Sequence, residues 1–180
     1  MNANARRFTR CFIASTAFSL ASIAQQPSPV DQTVDISQWK TFANRAGWSI
    51  KHPNSLEISS CRSCSDPTDP NTFVAFYDPA TKELIFRVER LRDKPPDQNV
   101  EQWLDDVKKA TVLNPLVSEE WIFLNGERAL KAINRNPDST ESEHIYVVHG
   151  SKTFAIRADR STPFYPVYQR MLATFRFTTP

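Results

Sequence analysis

Apolar and polar positions alternate with a period of two along most of this chain, and in two places the spacing switches to three and four. The first short patterns are Trp39 to Phe42 and Trp48-Ser49-Ile50-Lys51, separated by a turn at Asn44 to Gly47. Leu56 and Ile58 predict a third strand. Thr72 to Tyr77 and Glu83 to Leu91, rich in aromatic and branched residues, flank the turn Asp78-Pro79-Ala80-Thr81 and predict a hairpin with a longer loop. Further on, Glu119 to Leu124 and Glu127 to Asn134 are joined by Asn125-Gly126, a dipeptide suited to the positive φ values of a tight hairpin. Glu143 to His149 and Lys152 to Asp159 pivot on Gly150-Ser151, so these last four strands form a meander.

Val100, Trp103, Leu104, Val107 and Ala110 fall on one helical stripe, predicting a helix over Val100 to Thr111 with Asn99 as its N-cap and Gln102 placed to complete a capping box. A second stripe of Phe164, Val167, Tyr168, Met171, Leu172 and Phe175 predicts a closing helix with Thr162, Pro163 and Pro166 near its start. The polar stretch Ser59 to Asn71 reads as a surface loop. Two helices among many antiparallel strands make this an α+β chain.

Three arginines followed by an apolar run from Cys11 to Ala21, with small residues at Ser22 and Ala24, predict a secretory signal over residues 1–24. The run is too short to span a bilayer. Residues 25–36 read as an extended linker and 37–180 as a single domain. Composition changes meaning once the signal is set aside. The chain has 22 basic and 20 acidic residues, but the signal holds three arginines and no acid, so the remainder carries one more acid than base. A near-neutral domain without a basic face is no dedicated nucleic-acid binder. The general secretory route is expected, with a periplasmic or extracellular destination and no transmembrane segment in the mature chain.

Of three cysteines, Cys11 belongs to the signal, leaving Cys61 and Cys64. Their Cys-x-x-Cys spacing is compatible with a disulfide, a redox site, a metal site or free thiols. No helical pattern follows them, as a thioredoxin-like site would require, and a disulfide pinning the loop is the favoured reading. His144 and His149 lie an odd number of residues apart on one strand, hence on opposite faces, and cannot clasp one ion together; His52 is remote in sequence. No G-x-S-x-G elbow exists, and Glu119-Glu120 and Asp105-Asp106 diverge too far to act as acid and base. Neither metal, cofactor nor catalytic residues are expected. Trp39, Trp48 and Trp121 sit on short strands; core packing is the stronger reading for them, and an open face would make them candidate binding residues.

Three phrases carry a family resemblance: Gly47-Trp48-Ser49-Ile50-Lys51-His52-Pro53, Leu124-Asn125-Gly126-Glu127-Arg128-Ala129 and Met171-Leu172-Ala173-Thr174-Phe175-Arg176-Phe177. With the order of elements, they make the chain resemble the PsbP-like family, which includes bacterial envelope proteins related to DcrB. The resemblance implies an α/β/α sandwich, a mostly antiparallel twisted sheet with helices packed on its faces, used as a noncatalytic binding or assembly module. The bacterial style of the signal and the cysteine loop depart from the photosynthetic members and argue against a photosystem role. The reading is an exported module that contacts a protein or envelope component. Its alternatives are an enzyme with a pocket on the sheet, which would gather His52, His144 or His149 with carboxylates, and a thiol redox protein using Cys61 and Cys64.

Overall fold

The computed structural model describes residues 35–61 and 73–178. The expected signal, most of the linker and Cys64 lie outside the described residues, as does the side chain of Cys61, and with them the disulfide. Strands β1 (Lys40–Asn44), β2 (Trp48–His52), β3 (Glu57–Cys61), β4 (Phe73–Tyr77) and β5 (Leu84–Arg90) precede helix α1 (Val100–Thr111). The meander β6 (Leu116–Leu124), β7 (Glu127–Arg135), β8 (Glu141–His149) and β9 (Lys152–Asp159) follows, then α2 (Tyr165–Ala173) and the two-residue β10 (Arg176–Phe177).

The strands divide into two antiparallel sheets. Seven form the large sheet in the order β3-β4-β5-β9-β8-β7-β6, and β1, β2 and β10 form a small one with β2 at its centre. Helix α1 is the crossover that carries the chain from β5, in mid-sheet, to the far edge. The meander then walks back until β9 pairs with β5.

Local chemistry explains the joints. Asn99 Oδ1 accepts from the backbone N–H of Glu101 and Gln102, capping α1 as its sequence predicts. Asn125 and Gly126 have φ values of 50° and 86°, which a tight hairpin of this hand needs and which Asn and Gly tolerate. Pro166 sits in the first turn of α2, where no backbone N–H is required, and the Thr162 hydroxyl accepts from Phe164 N–H just ahead.

Because side chains alternate along a strand, the large sheet has two separate cores. Trp103, Leu104 and Val107 of α1 pack on Leu130, Tyr146, Val148 and Ala155 on one face. On the other, α2 and the small sheet bury Trp48, Ile50, Phe76, Phe86, Ile145, Phe154, Val167, Tyr168 and Met171 together. The result is an α+β sandwich with a helix on each side of the sheet.

One expectation changes, and the tryptophan candidates separate. Ser59, Ser60 and Cys61 belong to β3 rather than to the following loop, because Ala75, Val74 and Phe73 of β4 supply ladder partners that outweigh their weak strand propensity. Trp39 and Trp48 have no open face: they are 6% and 1% exposed, since the small sheet turns them against α2 and the large sheet.

Candidate functional site

Among the described residues the three histidines stand apart. His52 ends β2, buried, with Nδ1 2.9 Å from the carbonyl of Pro53. His149 pairs with Glu127 at 2.9 Å and stacks on Phe177. His144 faces the α1 side of the sheet, as its odd spacing from His149 requires, and lines a groove of about 380 Å³ beyond the end of α1.

Strand register builds that groove. Arg87 on β5 stands directly opposite Arg157 on β9, and Arg157 opposite His144 on β8. Three adjacent strands thus set two guanidiniums and an imidazole side by side on one face. Thr111 to Asn114, where α1 runs out, form one wall with Leu84, and Asn136 and Ser142 close the polar end. Asn136 Oδ1 accepts from Asn114 Nδ2 and Ser142 Oγ, while its Nδ2 donates to Thr140 Oγ1, which holds that wall in place. Glu89, two residues along β5, bridges both arginines: its carboxylate lies 2.9 Å from Arg87 Nε and 3.3 Å from a terminal nitrogen of Arg157. Among the described residues Arg157 Nε is buried without a hydrogen-bond partner.

A hydrogen-bond chain assigns the His144 tautomer. The Thr111 hydroxyl donates to the Val107 carbonyl at 2.9 Å and so accepts from the Tyr146 hydroxyl at 3.0 Å. That hydroxyl in turn accepts from His144 Nδ1–H at 3.1 Å, leaving Nε2 as the acceptor. Burial, then the charges of Arg157 and Arg87, pushes the His144 pKa down to about 4. The folded pKa lies below the ordinary 6.5, so the unfolded chain binds the proton first. Stability from this group is full above pH 6.5 and is lost as pH falls toward 4. With partial exposure discounted, the loss is about 2 kcal/mol. In His144→Gln the fall in unfolding free energy between pH 7 and pH 4.5, read from urea titrations, is expected to shrink by most of that amount; an identical fall in both proteins would contradict the assignment.

The second feature is the free edge. Among the described residues, strand β6 has β7 on one side only. Leu124 and Glu127 flank the two-residue loop and form a hydrogen-bonded pair, and alternation then aims the N–H and C=O of Glu119, Trp121 and Phe123 outward. Trp121 and Phe123 project on the α1 side, 39% and 76% exposed, and Leu113, Leu116 and Val117 are exposed at the far end of the strand, beyond the ion-paired Glu119. Arg128 lies 5.0 Å from the centre of the Trp121 ring. Beside this edge a second groove of about 340 Å³ runs between α1 and the start of β6, lined in part by Asn134, a fully buried residue whose amide donor and acceptor are both unpaired.

Of the sequence candidates, then, Trp121 alone is an exposed aromatic. Arg157 is not among those candidates, although a charge inside the apolar run Phe154-Ala155-Ile156-Arg157-Ala158 signals a half-buried cation. Among the described residues no group of three or more His, Cys, Asp and Glu side chains is placed to hold a metal, and no helix is long and apolar enough to cross a membrane.

No family model matches the chain, and no curated protein matches it. Among solved structures it is similar to cyanobacterial PsbP (CyanoP) from Synechocystis, at 13% identity and a TM-score of 0.52, covering 81% of this chain and 95% of that one. A Pseudomonas aeruginosa protein of unknown function, described as a putative regulator, aligns at 10% identity over 73% of this chain and 89% of its own, with a TM-score of 0.36. The first likeness shows a PsbP-like fold.

Proposed function

We propose that this chain is an exported, noncatalytic binding module of the cell envelope that receives an extended segment of a partner protein along β6. The observation that carries this reading is an apolar strip on an unpaired edge strand, Trp121 and Phe123 together with outward main-chain groups. Such an edge is ordinarily blunted by charge, proline or a covering element, because it templates pairing with any strand that meets it. Glu119 and Glu120 place charge in the middle of β6, but its hairpin end carries an exposed tryptophan and phenylalanine. A peptide added as an eighth strand would satisfy the free N–H and C=O groups, and alternate side chains would rest on the two aromatics.

Selection of a random peptide library on the full chain tests this. Enriched peptides are expected to slow hydrogen exchange at Glu119, Trp121 and Phe123, and Phe123→Glu is expected to weaken them on the order of tenfold or more. Peptides that leave β6 exchange unchanged would contradict the reading, and so would protection that appears only as the chain dimerises.

A further inference from the structure

We propose that the groove at the end of α1 binds a small organic carboxylate, with its head group on Arg87 and Arg157 and its apolar body along Leu84 and Leu113. This goes beyond the edge-strand reading and does not depend on it. Charge supports it first. Two guanidiniums share the single carboxylate of Glu89, so the trio keeps one net positive charge, the complement of a monoanion. Geometry supports it next: Arg87 and Arg157 are register partners that leave the same face, and Glu89 shows that one planar carboxylate can bridge the two, while the Arg87 guanidinium also lies 5.7 Å from the Phe73 ring centre. Arg157 is largely buried, and among the described residues its Nε has no acceptor, which burial makes costly.

The remaining walls choose among anions. Leu113 is 96% exposed at the rim, and Leu84, Val112 and Ala158 also line the groove, giving an apolar surface that a bare inorganic ion leaves unused. His144 is held neutral with Nε2 as an acceptor, beside Arg87 and Arg157, with Glu89 beyond them on β5, Tyr146 on its own strand and Thr111 from α1. A carboxylate on the guanidiniums offsets the charges that hold His144 neutral and so favours its protonated form. By reciprocity, binding tightens as pH falls toward the His144 pKa, where part of a proton is taken up at this ring.

Calorimetric titration of the full chain at pH 7 with hexanoate, hexanol and inorganic phosphate tests the site, alongside an NMR titration of the imidazole. Hexanoate is expected to bind saturably and to shift the His144 resonances, with the imidazole pKa rising on saturation. Hexanol should bind at least about tenfold more weakly, and Arg157→Gln should cost hexanoate on the order of tenfold or more. Leu113→Glu, at a fully open position that cannot disturb folding, should weaken hexanoate too. Phosphate binding as tightly as hexanoate would overturn the assignment to a carboxylate with an apolar body. No saturable hexanoate binding, or binding unchanged in both variants, would overturn the site. Phe123→Glu should leave hexanoate binding intact, so the two surfaces fail independently.

Discussion

Trp48→Ala is expected to lower stability by about 3–5 kcal/mol, the cost of deleting a large buried aromatic, and Trp121→Ala to change it by less than about 0.5 kcal/mol. Both tryptophans lie on short strands in the sequence, and the difference is wholly one of surroundings. Trp48 is 1% exposed on the central strand of the small sheet, its ring stacked on Phe175 at 5.5 Å and tilted against Phe42 at the same separation. Its main chain pairs with Asn44 of β1 on one side and Phe177 of β10 on the other. Removing the indole therefore opens a cavity where β1, β10 and the end of α2 converge. Set against a typical stability of about 5–15 kcal/mol, this is a loss that leaves the fold marginal. Urea titrations should show a lower midpoint at an unchanged slope. Equal losses from the two substitutions would mean that Trp121 is packed as core, and the edge-strand reading would go with it.

The same pair of residues shows where sequence reasoning stops. Periodicity and turn chemistry are local, so the hairpin on Asn125-Gly126, the meander, and α1 from Val100 to Thr111 could all be read from neighbours a few positions apart. The resemblance phrases added the PsbP-like architecture, which the likeness to CyanoP shows at the level of fold. Which face of a strand is covered is not local. Trp39 and Trp48 are buried because β1 and β2 leave the large sheet and α2 shares their core, and nothing in the residues from Trp39 to Lys51 encodes that partner. The groove is less legible still. Arg87, Arg157 and His144 become neighbours through the β5–β9 and β8–β9 registers, and a shift of one residue in either would send a side chain to the opposite face. His144, which the sequence offers as a poor metal ligand or as part of a carboxylate pocket, stands instead beside two cations.

Glu143→Leu is expected to cost about 2–4 kcal/mol, because it removes the acceptor for a buried hydroxyl on the α2 side of the sheet. Glu143 is 3% exposed, and its two oxygens accept from Tyr168 at 2.8 Å and Tyr165 at 2.7 Å, with Lys131 at 3.7 Å. Tyr165 is half-buried and can turn to water, whereas Tyr168 is fully buried and is left without a partner. The loss should therefore depend on Tyr168. In Glu143→Leu the further change Tyr168→Phe is expected to be near neutral or to restore stability, while in the native background it costs about 1–3 kcal/mol, since two missing partners cost less than one orphan. Additive effects in that cycle would contradict the network. Alkali gives a second reading. Burial first, and Glu143 after it, holds the Tyr168 pKa well above 10, and Tyr165 is raised by the same two causes. A raised folded pKa means the unfolded chain loses its proton first, so the contribution is complete below pH 10 and fades as pH climbs beyond it. Tyr168→Phe should accordingly unfold less steeply than the native chain above pH 10, although it is the less stable of the two at pH 7.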